Sequence, residues 1–141
     1  MKLLRILPIF IFLFISCTRH FAVGPVKEDG PPYSPGIVIG NTLFISGQIG
    51  IRNGKLVPGG IKPETEQALK NMESVLTKAG FSKNDIVKCT VFLTDIKDYE
   101  AMNNIYKKFF GPPPYPSRAC VAVKELVLGA KVEISAIAIK K

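Results

Sequence analysis

Between residues 36 and 139 the apolar residues switch from a spacing of two to helical spacing and back, twice, which leaves few folds open. Residues 63–79 carry Ala68, Leu69, Met72, Val75, Leu76 and Ala79 at helical spacing, with Pro63 suited to a first turn and Gly80 to an end. Residues 98–110 repeat the pattern with Tyr99, Met102, Ile105, Tyr106, Phe109 and Phe110 behind a capping Asp98, and stop before Gly111-Pro112-Pro113-Pro114. Between them, residues 86–93 read as a strand with Val87, Cys89, Val91 and Leu93 on one face. Ahead of both helices, Ile37-Val38-Ile39, a Gly40-Asn41 turn and Thr42-Leu43-Phe44-Ile45-Ser46 read as a hairpin. Gly47 within it marks a bulge or a backbone that something approaches closely, and Asn53-Gly54 makes a second tight turn. Strands, helix, strand, helix, strands predicts an α+β domain, a mixed sheet with two helices packed on one face. The other face, with Phe44, Phe92, Ile137 and Ile139, is too apolar for water and requires a further copy of the chain.

The last two strands carry the polar residues most out of place. In Pro116-Ser117-Arg118-Ala119-Cys120-Val121, alternation puts Arg118 and Cys120 on one face and Ala119 and Val121 on the other. In Lys131-Val132-Glu133-Ile134-Ser135, Glu133 and Ser135 share a face opposite Val132 and Ile134. If the two strands pair and turn their apolar sides to one core, an arginine, a thiol and a carboxylate meet on the remaining face. Taken alone, Arg118 fits an ion pair with a neighbouring subunit, and Glu133 fits an ion pair with Lys131 or Lys88. Cys89 reads as a small core residue.

Composition excludes several classes of function. Three cysteines, Cys17, Cys89 and Cys120, with no repeating spacing give neither a disulfide framework nor a zinc set, so no metal is expected. His20 is the one histidine, which removes His-based triads and metal sites from the domain. Of 19 basic residues, Lys2 and Arg5 fall in a leader, leaving 19 − 2 = 17 against 11 acidic residues, a net +6. The lysines are scattered, with no arginine-rich run and no Trp, so no nucleic-acid partner is expected.

The leader itself has a short basic start and an apolar run at residues 6–15, too short for the roughly 20 residues that span a bilayer. It matches a signal peptide, residues 1–17, ending in Phe14-Ile15-Ser16-Cys17. That ending is similar to a bacterial lipobox in which Cys17 is lipidated. Plain secretion with cleavage nearby and an uncleaved hydrophobic anchor are the competing readings. The expectation is an exported lipoprotein of the cell envelope whose only membrane contact is the lipid, or a cytoplasmic protein if the leader is unused. Residues 18–29 then read as a tether and 30–141 as the folded domain. Gly30-Pro31-Pro32-Tyr33-Ser34-Pro35-Gly36 runs extended over the surface and displays Tyr33.

Seven short motifs recur in order: Pro32-Tyr33-Ser34, Ser46-Gly47-Gln48, Asn71-Met72, Asp85-Ile86-Val87-Lys88, Asn103 before Tyr106, Arg118-Ala119-Cys120-Val121 and Val132-Glu133-Ile134. Together they resemble the RidA (YjgF) family of reactive-intermediate deaminases, from about residue 30 to residue 140. The resemblance implies a chorismate-mutase-like α+β fold, a homotrimer with clefts between subunits, and hydrolysis of enamines and imines to 2-oxo acids and ammonia. It implies no metal and no cofactor. By motif, Arg118 would take the carboxylate of a small 2-imino or 2-oxo acid, and Glu133 would position the water and pass its proton. Tyr33 would hold that water from the neighbouring side of the cleft. Ser46 and Gly47 would line the cleft with backbone groups, Cys120 would contact the ligand or form the cleft wall, and Asn103 would brace the site. The prolines at 31 and 35, Val127 and Ser135 depart from the family's usual pattern. The alternative function is a non-catalytic carboxylate-binding or holdase-like protein of the same fold. RNA cleavage lacks a histidine in residues 30–141 to support it.

Overall fold

Alternation and helical spacing are realised in the computed structural model, which describes residues 20–24 and 28–141. Among these, the strands are β1 (His20–Ala22), β2 (Gly36–Ile39), β3 (Thr42–Ile49), β4 (Ile51–Arg52), β5 (Lys55–Leu56), β6 (Ile86–Leu93), β7 (Ser117–Ala122) and β8 (Val132–Ile139). The helices are α1 (Ile61–Lys78) and α2 (Tyr99–Phe110). Six strands form one sheet in the order β1-β2-β3-β8-β6-β7, and β4 and β5 form a separate ribbon. The ribbon closes on Asn53-Gly54, both in the left-handed region as a two-residue hairpin turn demands. The signal peptide and Cys17 lie outside the described residues. Part of the stretch expected to be a tether is drawn into the sheet instead: β1 pairs antiparallel with β2, and Val23 is buried.

Both helices pack on one sheet face, as expected. Ala68, Leu69, Met72, Val75 and Leu76 of α1 and Met102, Ile105 and Tyr106 of α2 share one core with Leu43, Ile45, Val91, Leu93, Val132, Ile134, Ala136 and Ala138 of the sheet. The opposite face keeps Phe44 and Ile139 exposed and Phe92 and Ile137 half-exposed. Two local expectations fail. Val87 is exposed and Ile86 enters the core, because a bulge between Ile86 and Lys88 resets the alternation. Asp98 precedes α2 without a side-chain capping bond, whereas the Asp95 carboxylate accepts from the backbone N–H of Lys97 at 2.9 Å and shapes the turn ahead of it.

The larger correction concerns the two C-terminal strands, which do not pair. β7 returns from α2 to lie parallel to β6, and β8 pairs antiparallel with the other edge of β6. A helical crossover between β6 and β7 makes a parallel neighbour natural, and that occupies one side of β6 before β8 arrives. Register then decides the faces. Arg118 stands beside Cys89 and Cys120 beside Val91, both core residues, so Arg118 and Cys120 point to the helix side. Glu133 stands beside Phe92 and points to the open side. The arginine and thiol share a face, and the carboxylate is on the other.

Asn71 ties α1 to the β3–β4 junction. Its Nδ2 donates to the carbonyls of Ile49 at 3.0 Å and Ile51 at 2.9 Å, and its Oδ1 accepts from Gln67 Nε2 at 2.8 Å. Asn71→Ala leaves two half-buried carbonyls without this donor and is expected to destabilise the fold by about 1–3 kcal/mol, read as a lower urea midpoint at unchanged slope.

Candidate functional site

A cavity of about 700 Å³ opens beside the bulged half of β3. Its wall includes Tyr33, Ser46, Gly47, Asn71, Leu128 and Glu133. The bulge comes first in the physical order. The register of β3 against β8 shifts between Ile45 and Gln48, so the chain bends at Ser46 and Gly47. Ser46 Oγ donates to the Ser34 carbonyl at 2.7 Å and Ser46 N–H to the Pro35 carbonyl at 3.0 Å, which fastens the Tyr33 loop to the bulge. Gln48 Nε2 closes the other side of the bend on the Ser46 carbonyl at 2.9 Å.

Gly47 is where the expectation of a close approach is met. A Cβ on Gly47 would fall 1.9 Å from Glu133 Oε1 and 2.6 Å from its Cδ, so the carboxylate occupies space that any larger residue would claim. Glu133 is half-buried, and neither of its candidate ion-pair partners is placed for it. Lys131 lays its stem towards Gly60, and Lys88 lies opposite Ile137, further along the strand. The start of β8 is fixed from below, because the backbone N–H of Lys131 donates to Oε2 of the buried Glu64 at 2.7 Å. The cavity thus presents a half-buried carboxylate and a phenol, Tyr33, exposed at its rim.

Arg118 is elsewhere. With Asn103, Tyr99, Tyr106, Lys107 and Tyr115 it lines a second hollow of about 370 Å³ on the α2 side. Its Cζ lies 4.6 Å from the ring centroid of Tyr106 and 5.6 Å from that of Tyr99, and its Nη2 donates to Tyr99 Oη at 3.2 Å. From Arg118 to Glu133 is two strands across, roughly 10 Å, and about as far along the sheet, with the sheet itself between the side chains. One chain therefore brings Tyr33, Ser46, Gly47 and Glu133 together and places Arg118 and Asn103 apart. Tyr33, expected from across a subunit boundary, lies on the same cavity as Glu133.

Cys120 follows Arg118, half-buried and packed on the core rather than in the Glu133 cavity. Burial raises its thiol pKa, with the Arg118 charge acting the other way, and Cys120 lines neither this cavity nor the Arg118 hollow described above. Cys89 and Tyr106 are also pushed up from their ordinary 9.0 and 10.0, chiefly by burial. Among the described residues the Tyr106 hydroxyl has no partner in hydrogen-bonding geometry, and the Cys89 thiol beside it supplies at most a weak contact. Above pH 9 the unfolded chain releases protons that the folded chain still holds, so stability is lost as pH rises. Below pH 9 both states keep them and the contribution is flat. The drop in Tm between pH 7 and pH 10 is expected to be smaller in Cys89→Ala than in the parent chain.

Sequence reasoning missed Tyr99 and Tyr106 as site residues because their spacing read as core. The signal was present: residues 99, 103 and 106 recur at helical spacing, so they share a stripe with Asn103. Asn71 and Gln48 lay inside motifs already singled out, but nothing in their spacing assigns them a bond.

Residues 28–140 match the family model described as endoribonuclease L-PSP. The human 2-iminobutanoate/2-iminopropanoate deaminase is 44% identical over 111 residues, 77% of this chain and 80% of that protein. The crystal structure of YyfA from Yersinia pestis, of the conserved Rid protein family, aligns with a TM-score of 0.81 at 37% identity, covering 86% of this chain and 100% of that one. The crystal structure of E. coli TdcF with bound serine aligns with a TM-score of 0.75 at 36% identity, covering 85% and 94%.

Proposed function

Because the chain belongs to the endoribonuclease L-PSP (RidA/YjgF) family, we propose that it hydrolyses small 2-imino acids to 2-oxo acids and ammonia, at sites each built by two copies of the chain. The observation that carries this is the cavity in which Gly47 leaves room for the Glu133 carboxylate beside Tyr33. A half-buried carboxylate held by a strand and facing open space is suited to taking a proton from water.

In the proposed reaction Arg118 of a neighbouring copy binds the substrate carboxylate, since a guanidinium pairs two oxygens in one plane and keeps its charge. Glu133 accepts a proton as water adds to the iminium carbon, and Tyr33 orients that water. The resulting carbinolamine takes the proton back on nitrogen. Its C–N bond then breaks, ammonia leaves, and the hydroxyl proton passes out as the 2-oxo group forms. Imines beside a carboxylate already hydrolyse in water, so orientation of substrate and water is the catalysis required.

We further propose a homotrimer. The surface with Glu133 and the surface with Arg118 are different, so in the proposed site they meet head to tail, and three copies closed into a ring would complete every site. The exposed apolar side chains Phe44, Val121 and Ile139 support burial of the open sheet face in that ring. The test couples an amino-acid oxidase, which generates the imine, to semicarbazide, which traps what remains. The full chain is expected to lower the trapped product in a concentration-dependent way. No effect with any amino acid tried would leave carboxylate binding without turnover as the function, and titration with 2-oxobutanoate would then measure it.

A further inference from the structure

Arg118 is held by more than its own strand, and the holder is α2. The edge strand β7 offers the side chain little support, because among the described residues no strand follows on its outer side. Tyr106, 4% exposed, fixes a ring under the guanidinium plane at 4.6 Å. Tyr99 lies seven residues earlier, two turns away on the same side of α2, and its hydroxyl accepts from Nη2 at 3.2 Å. A ring beneath and an acceptor at one end remove the rotations by which an arginine on an edge strand would wander. They consume one of the five donors and leave the rest for a ligand. Tyr99 is 38% exposed, so its phenol is not needed to fill the core.

We propose that Tyr99 is a positioning residue for carboxylate recognition: its hydroxyl sets the orientation in which Arg118 presents its free donors, with Tyr106 as the supporting plane. The inference rests on the role assigned to Arg118 above. It adds that the affinity for the substrate carboxylate is set partly from α2, by a residue that never touches the substrate.

Three measurements on the full chain decide it. Tyr99→Phe keeps the ring and removes the acceptor. KM for imine hydrolysis and the dissociation constant for 2-oxobutanoate are both expected to rise about three- to tenfold, with kcat held. In an Arg118→Ala background, Tyr99→Phe is expected to add nothing, since a residue that acts through Arg118 has nothing left to act on. In nitrogen NMR of the arginine side chains, four per chain, the Arg118 guanidinium is expected to rotate more freely in Tyr99→Phe. Unchanged KM and affinity would overturn the proposal, as would a Tyr99 effect that persists at full size without Arg118. If the parent chain neither hydrolyses imines nor binds 2-oxobutanoate, the functional reading fails separately. The NMR arm then stands alone, and an Arg118 signal indifferent to Tyr99→Phe sinks the clamp as well.

Discussion

Glu133→Gln is expected to lower kcat for imine hydrolysis by about 10²–10⁴-fold, the range typical of a lost general base, without unfolding the chain. Glutamine keeps the shape and half-buried packing of the side chain but cannot take a proton from water. The sharper form of the prediction lies on the neighbouring strand. Gly47→Ala leaves Glu133 chemically intact and puts a methyl group where its carboxylate now sits, 1.9 Å from Oε1 and 2.9 Å from Cγ. The atoms that must yield belong to the end of a flexible side chain, so the backbone persists and the carboxylate is the part displaced. A catalytic group held for proton transfer loses its function when moved by an ångström or so. Gly47→Ala is therefore expected to fall in activity towards Glu133→Gln while its Tm stays within a few degrees of the parent. If Gly47→Ala retains full kcat, the cavity beside the bulge is not where water is activated.

Arg118→Ala should cost about 10- to 100-fold in kcat/KM, as expected for a charge-assisted contact worth roughly 1.5–3 kcal/mol. The loss should appear largely in KM, because the carboxylate is bound in both ground and transition states. Geometry makes a second, stronger claim. Arg118 and Glu133 of one chain are on opposite sides of the sheet, so the proposed site pairs Glu133 of one copy with Arg118 of another. Arg118→Ala and Glu133→Gln chains, each impaired alone, are thus expected to regain activity when unfolded together and refolded as mixed rings. Random mixing restores intact pairs at roughly a quarter of the sites. Mixtures no more active than the average of the two variants would mean that the groups do not serve one substrate across a boundary.

The limits of sequence reasoning are clearest in these two residues. Alternation placed Arg118 with Cys120 and Glu133 with Ser135, and both pairings hold within their strands. It carries no information on the phase between strands, and a shift of one residue or an intervening strand inverts the relation of two faces. The expectation that β7 and β8 pair put all three groups on one face. β6 lies between them, and Arg118 turns to the helix side because on an edge strand the small Ala119 and Val121 can occupy the open face. Gly47 shows the opposite case. A glycine inside a strand signalled a bulge or a close approach, and both occur, because only a residue without Cβ admits the Glu133 carboxylate.

The sequence by itself determined the layers of this protein. Periods of two and of 3.6 are local properties of the chain, so both helices, the longer strands, the apolar open face and the ordered family motifs could be read along it. Which strand lies beside which, which side of the sheet each polar side chain takes, and that Tyr99 of α2 meets Arg118 of β7 depend on contacts between residues far apart in the chain. No local spacing encodes those contacts, and only the tertiary structure decided them.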